Sequence, residues 1–197
     1  FIGLGWGNGK RGVGFHLLYT DIPDIEYRIA PTDNPIGTFS SNEMIFGFSY
    51  AQMILQDLFL GVNLKGYFTR ILYHEAWGIG SDIGLLWHMN DQINVGASIQ
   101  NLGKTSRLNE YEVDLPVTVR TGAAYQIIKS DHNISLTVDG VKEVDSPLHL
   151  NAGVEYGWQN RFFIRAGYSA GYDESRSITG GIGVVQGVLR LNYGYLP

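Results

Sequence analysis

Apolar and polar residues alternate along most of the chain, most regularly between residues 148 and 158. Even positions there are apolar and odd positions are small or polar: Leu148, Leu150, Ala152, Val154, Tyr156 and Trp158 against His149, Asn151, Gly153, Glu155 and Gly157. A period of two places successive side chains on opposite faces of a β-strand. The segment therefore predicts a strand with one apolar and one polar face, and residues 161–172 repeat the pattern as its return strand.

Similar alternation predicts about twelve strands in all. They are a strand ending at Trp6, its return strand over 13–19, and strands over 43–54, 58–70, 75–88, 92–102, 115–128, 132–144, 148–158, 161–172, 176–185 and 188–195. Residues 21–42 and 103–114 lack the alternation and are rich in turn-forming or charged residues, so they are predicted to be long loops. Because no segment of helical period competes, the predicted fold class is all-β.

The positions of the apolar residues also predict how neighbouring strands pair. Paired residues of an antiparallel ladder point to the same side, so the apolar parity of two neighbours determines the number of residues between them. The strands over 148–158 and 161–172 are both apolar at even positions, which predicts a three-residue loop over 159–161. That loop sets Glu155 opposite Arg165.

Parity is reversed across two other predicted turns, which therefore contain two residues each. We expect these turns at Asn8-Gly9, with the two positive φ angles of a type I′ turn, and at Gln186-Gly187. Both long loops fall on even-numbered connections, whereas the odd-numbered connections are short. Short turns at one end and longer loops at the other are typical of outer-membrane barrels.

The composition of the two faces discriminates between a soluble β-domain and a membrane protein. The apolar face has no charged residue in the middle of a predicted strand, and its aromatic residues form two groups: Trp6, Trp87, Trp158 and Phe162 near the short turns, and Tyr19, Trp77, Tyr168 and Tyr195 near the other end. Such rings favour the two headgroup layers of a membrane. We interpret the protein as an antiparallel up-and-down transmembrane β-barrel; a soluble sandwich or lipocalin-like barrel is the alternative.

The polar face of this barrel would line the lumen. It consists mostly of Gly, Ser, Thr and Asn, with sparse ionisable residues: His16, Lys65, Asp82, Arg120, Asp139, Glu155, Arg165 and Arg190. Glu155 with Arg165, and Arg120 with Asp139, are candidate luminal charge pairs, the second opposite or diagonal depending on the loop between its strands. We interpret both pairs as structural; a charged constriction or a ligand contact is the alternative.

The composition excludes several kinds of chemistry. The chain of 197 residues has no cysteine, so it has no disulfide framework, thiolate nucleophile or Cys-based metal site. Its net charge of −5 gives no electrostatic case for nucleic acid. The five histidines lack the His-Glu-x-x-His spacing of a metal site, and each acid of a possible catalytic carboxylate pair has an arginine closer to it. We expect no catalytic residue, metal or cofactor.

Apolar residues are unusually frequent in the first predicted loop. They are Ile22, Ile25, Tyr27, Ile29 and Ile36. A solvated loop needs no such side chains, so these are candidate extracellular contacts for a partner, a hydrophobic substrate or lipopolysaccharide. Alternatively, they fold over the mouth of the barrel.

Four segments of the sequence resemble the PorV/PorQ family of outer-membrane proteins, which are relatives of FadL-type barrels. They are SDIGLLWHMNDQINVGASIQNLGK, DLPVTVRTGAAYQI, SLTVDGVKEVDSPLHLNAGVEYGWQNRFFIRAGYSAGYDE and LRLNYGYLP, and with NPIGTFSSNEMIFGFSYAQMI they cover most of residues 35–197. The resemblance implies a 14-stranded FadL-like barrel of which about twelve strands are present. Residues 1–197 would then be a single outer-membrane β-barrel domain, incomplete at both ends.

The resemblance also implies a function in the bacterial outer membrane. The best understood members of the family are docking or shuttle components of type IX protein secretion and hold the carboxy-terminal signal domain of cargo proteins at the extracellular side. The expected partners are therefore outer-membrane lipid and secreted cargo or other secretion components. FadL-like transport of a hydrophobic small molecule is the alternative, and a purely structural barrel is a third possibility.

Overall fold

The computed structural model describes residues 1–31, 33–108, 114–171, 177–187 and 189–196. They form a twelve-stranded antiparallel sheet in which strands follow one another in sequence order, with β1 and β12 at the two ends of that order. The strands are β1 (Ile2–Gly7), β2 (Arg11–Tyr27), β3 (Gly37–Leu55), β4 (Leu58–Ile71), β5 (His74–His88), β6 (Ile93–Thr105), β7 (Thr118–Lys129), β8 (His132–Glu143), β9 (Leu148–Trp158), β10 (Phe162–Ala170), β11 (Ser177–Gln186) and β12 (Leu189–Tyr195). The predicted all-β, up-and-down arrangement is confirmed.

Contacts between Cα atoms divide the chain into two compact units. The first comprises Phe1–Ile54, Leu60–Ile83 and Gln100–Val117, and the second comprises Leu55–Phe59, Gly84–Ile99 and Thr118–Pro197. In the described part of the chain, no helix is long and apolar enough to cross a membrane.

The first predicted long loop is much shorter than the sequence suggested. β2 continues to Tyr27 and β3 begins at Gly37, so the prediction that residues 21–42 form a loop was wrong. The ladder of the two strands is shifted between Ile22 and Ile25, where Asp24 has a φ of 57°. An irregularity of this kind interrupts the alternation without ending the strand, which is why the pattern failed there.

One of the three predicted turns is confirmed and two are displaced by one residue. Phe162 pairs with Trp158 across the three-residue loop, as predicted. In the first hairpin, Asn8 N donates to Arg11 O at 3.0 Å, so the turn residues are Gly9 and Lys10 rather than Asn8 and Gly9. Only the glycine has a positive φ, 79°, as the first position of a type II′ turn requires.

The side chain of Asn8 explains the displacement of the first turn. Its Oδ1 atom accepts hydrogen bonds from the backbone N–H groups of Lys10 at 3.1 Å and Arg11 at 2.9 Å. Asn8 therefore precedes the turn and stabilises it. The other displaced turn is similar: Gln186 pairs with Leu189, so that turn begins at Gly187, and its second residue lies outside the described residues.

Apolar side chains of the second unit form continuous rows across the sheet. Tyr156, Ile164, Ile182 and Tyr193 are successive Cα partners on β9, β10, β11 and β12, and all four are exposed. Along β9 the apolar residues are exposed, whereas the small and polar residues between them are half-buried or buried. The face that is apolar in the sequence is thus uncovered in the structure.

The first unit also has an exposed apolar face. Phe15 pairs with Phe48 and Val13 with Tyr50 on the apolar face, and these four side chains are exposed. The buried hydrophobic residues of the described chain are Tyr67, Ala76, Val141 and Phe163. Three of them, Tyr67, Val141 and Phe163, are two residues from a charged residue of the same strand, so they share the polar face.

The solvent-accessible surface area of the chain is larger than that of a compact soluble protein of the same mass. The chain exposes 14192 Å², whereas a compact soluble protein of 21.9 kDa exposes roughly 9,300 Å². The difference arises because the apolar rows are not covered by a second layer. A conventional hydrophobic core is therefore absent from the part of the chain that the structure describes.

Replacing Gly9 by Ala is expected to lower the free energy of unfolding by about 1–2 kcal/mol, because a Cβ atom is disfavoured at a φ of 79°. Gly37→Ala is the matched control, since an added Cβ atom meets nothing within 4 Å at either position and Gly37 lacks a positive φ. Urea unfolding of the two purified variants measures the difference. Equal stabilities would contradict the assigned turn.

Candidate functional site

Asp82 on β5 is the centre of a hydrogen-bonded network on the polar face of the first unit. Its Oδ1 atom lies 2.7 Å from Lys65 Nζ and accepts a hydrogen bond from the backbone N–H of Asn101 at 2.9 Å. Its Oδ2 atom accepts a hydrogen bond from Asn63 Nδ2 at 3.0 Å. The side chains of Lys65 and Asp82 are only 12% and 19% exposed, so both charges are compensated away from bulk solvent.

Asn101 connects the network to further groups. Its Oδ1 atom accepts hydrogen bonds from Lys65 Nζ at 2.5 Å and from Tyr67 Oη at 3.2 Å, and its Nδ2 atom donates to Pro116 O at 3.0 Å. On the other side of Asp82, Ser49 Oγ donates to the Asn63 side chain at 3.0 Å. The network therefore links residues of β3, β4, β5 and β6 and the segment that follows β6.

Two backbone features make room for this network. Asn101 has a φ of 62°, in the left-handed region that asparagine tolerates better than most residues. Its backbone N–H and its side chain both serve the network in this conformation. A Cβ atom at Gly80 would lie 3.0 Å from the ring of Tyr67, so glycine allows the buried tyrosine to approach the sheet closely.

The sequence placed Lys65 and Asp82 on the polar face but did not pair them. The two residues contact each other directly, and Asn101 contacts both. Nothing in the alternation predicts the positive φ of Asn101. An asparagine within a strand was the available signal, because this residue type is depleted in strands and enriched at backbone irregularities.

Glu155 and Arg165 form the corresponding charged site of the second unit. They are Cα partners on β9 and β10, as the three-residue loop predicted, and Arg165 Nε lies 2.5 Å from Glu155 Oε2. Arg165 Nη1 donates to Asn192 Oδ1 at 2.9 Å. The Arg165 guanidinium also lies 5.6 Å from the ring centroid of Phe163, and that of Arg190 lies 5.5 Å from the same centroid.

Arg120 and Asp139 are not joined by an ion pair in the described part of the chain. Asp139 is the Cα partner of Gly122, and Arg120 is the partner of Val141, so the two charged residues are diagonal. The Asp139 carboxylate instead accepts a hydrogen bond from Asn151 Nδ2 at 3.1 Å. The diagonal alternative is the one observed, and an amide rather than an arginine satisfies the acid.

The five predicted extracellular contacts are divided between two kinds of structure. Ile22, Ile25 and Tyr27 lie on β2, which corrects their assignment to a loop, and Tyr27 packs edge-on against Phe39 at a centroid distance of 6.4 Å. Ile29 and Ile36 lie in the connection between β2 and β3 and are 76% and 63% exposed. Apolar side chains therefore lie on the part of β2 that pairs with the start of β3, and in the connection beyond it.

The acids of both charged sites are paired with a cation. The carboxylates of Asp82 and Glu155 contact Lys65 and Arg165 respectively. Among the described residues there is no group of three or more His, Cys, Asp or Glu side chains that could hold a metal ion.

Comparisons of the chain with models of protein families and with curated proteins found no match.

Lys65→Met is expected to lower the free energy of unfolding by about 3 kcal/mol, because it leaves the sheltered Asp82 carboxylate without its cation. Replacing both residues, as Lys65→Met with Asp82→Leu, should restore part of that loss. Arg70→Met is the control, since Arg70 Nε lies 3.8 Å from Glu75 Oε1 in an exposed pair, and its cost should stay below about 1 kcal/mol. Equal costs in urea unfolding for the two single variants would contradict the assigned role of the network.

Arg165→Ala is expected to destabilise the protein by about 2 kcal/mol, because charge-assisted bonds to Glu155 and Asn192 are lost. Arg161→Ala, in the adjacent exposed turn, should change stability by less than about 0.5 kcal/mol. If Arg165→Ala abolished binding of a partner and left the unfolding curve unchanged, the pair would be a binding site rather than a structural one.

Proposed function

We propose that this chain forms the wall of a β-barrel in the bacterial outer membrane and acts there as a docking or shuttle component of type IX protein secretion. The distribution of side chains on the sheet supports the membrane location. Exposed apolar rows lie on one face of the sheet, and sheltered ion pairs lie on the other. In water, so much uncovered apolar surface would be unfavourable, whereas lipid covers it without cost. Charged groups on the opposite face avoid lipid and satisfy one another.

The aromatic residues support the same location. All eight residues of the two predicted belts are exposed, from 41% for Tyr168 to 64% for Trp6. Trp158 stacks on Phe162 at a centroid distance of 5.7 Å at the turn between β9 and β10. Seven of the eight lie within three residues of a strand end, whereas Tyr19 lies in the middle of β2. Exposed aromatic residues near strand ends are favourable at a headgroup layer, where the ring contacts lipid and its polar atom contacts water.

The docking role rests on the resemblance to the PorV/PorQ family and is supported by the extension of β2 and β3. Exposed apolar residues on a hydrogen-bonded ladder provide a surface that needs little ordering when a partner binds. Ile29 and Ile36, which are exposed in the connection just beyond the ladder, would extend this surface. The satisfied polar network around Asp82 supports a packed, structural interior in the first unit.

Deletion of the gene for the full-length protein in its native host tests the proposed function. Loss from the medium of a set of proteins that share a carboxy-terminal signal domain is expected. Intact secretion with impaired uptake of long-chain hydrophobic compounds would replace this proposal with FadL-like transport. No change in either measurement would leave the structural barrel as the favoured role.

Complementation of that strain with Ile29→Ser and Ile36→Ser combined is expected to reduce cargo secretion several-fold, because the apolar contact surface is lost. Val144→Ser, at an exposed valine in the connection between β8 and β9, is the control and should restore secretion fully. The amount of each variant in the outer-membrane fraction should match the wild type. Equal secretion by the two variants would exclude the β2–β3 connection as the docking surface.

A further inference from the structure

A groove of about 850 Å³ lies on the sheet in the first unit. Its apolar lining comes from side chains on β3, β4 and β5: Phe46, Phe48, Leu64, Trp77 and Ile79. These five side chains are all exposed. Lys104, near the end of β6, also lines the groove. The groove is therefore apolar along its length and has a cationic group beside it.

Small residues shape the floor of the groove. The ring of Phe46 lies against Gly66, in the space that a side chain at residue 66 would occupy. Ser81 contributes a small side chain whose hydroxyl donates to Leu102 O at 3.2 Å. The floor therefore consists of the Phe46 ring and the Ser81 side chain, and the walls are Leu64 and Ile79.

The positive charge at the rim of the groove is not balanced by any residue that the structure describes. The exposed ammonium group of Lys104 has no hydrogen bond or ion pair to any described residue. Trp77 packs against Phe68 at a centroid distance of 4.5 Å, which holds an aromatic ring in the groove. The rim therefore favours a negatively charged group next to an aromatic side chain.

We propose that the groove binds one acyl chain of an anionic lipid, with a phosphate of that lipid at the Lys104 ammonium group. This inference rests on the proposed membrane location. Hydrocarbon fits the apolar walls, and the phosphate supplies the anion that the rim lacks. A zwitterionic lipid offers the same chain, but its own cation reduces the attraction to Lys104. The site would thus select for lipid charge.

Quenching of tryptophan fluorescence by lipids with brominated acyl chains tests the proposal directly, because Trp77 lines the groove. The full-length protein is reconstituted in bilayers of brominated phosphatidylglycerol or brominated phosphatidylcholine. The anionic lipid is expected to bind about fivefold more strongly than the zwitterionic lipid at the site reported by Trp77. Trp77→Phe should remove this excess quenching, whereas Trp158→Phe should retain it.

Two further pairs of variants separate the headgroup from the chain. Lys104→Gln should abolish the preference for the anionic lipid, and Lys129→Gln, at an exposed lysine of the second unit, should leave it unchanged. Ile79→Ala should weaken quenching by both lipids at Trp77, because it removes part of a wall. Ile178→Ala is its control, since the two isoleucines are 76% and 71% exposed and only Ile79 lines the groove.

The outcomes distinguish this inference from the proposed function. Equal quenching by the two lipids, or a preference that survives Lys104→Gln, would overturn the lipid site while Trp158 is still quenched and the membrane location stands. Absence of quenching at every tryptophan, including Trp6 and Trp158, would show that the apolar face does not contact lipid. That result would overturn the proposed membrane location itself.

Discussion

The pairing register of consecutive strands is the constraint on which the rest of this structure depends. A slip of one residue between two strands would move every side chain of one strand to the opposite face. Because the register is maintained from β8 to β12, apolar side chains form continuous rows there, and a charged side chain enters them only near a strand end, as at Lys142, the partner of Leu148. The Glu155–Arg165 ion pair follows from that separation. Within the described residues, no large buried core compensates for an error in pairing.

The charged groups on the polar face are compensated by their neighbours in two different ways. Glu155 and Arg165 meet directly across one strand pair, and Asn192 and Phe163 hold the guanidinium in place. Asp82 instead accepts hydrogen bonds from residues of β4 and β6. One donor is the backbone N–H of Asn101, which is available because Asn101 departs from strand geometry. The Glu155–Arg165 pair needs only the correct register. The Asp82 network also needs the positive φ of Asn101, which makes it more specific to this chain.

This difference explains how much of the structure the sequence predicted. Strand number, the all-β topology and the Glu155–Arg165 partnership follow from alternation and loop length, which are both periodic properties. The extent of β2 and β3 and the Asn101 network were missed because each depends on a single residue with a positive φ. The turns at Gly9 and Gly187 were displaced by one residue because the glycine takes the first position of each turn. Irregular backbone positions carry no periodic signal, although Asn and Gly mark where they occur.

The uncovered apolar rows have a consequence for how the protein is made. A soluble domain gains most of its folding free energy by burying such side chains against its own layers, but this sheet has no second layer to provide that gain. The free energy of folding must then come from contact between the apolar rows and the surface that covers them. Folding and arrival at that surface would therefore occur together. Before that event the chain needs protection from aggregation. Cellular chaperones, and the timing of delivery, would be as important to its yield as its own sequence.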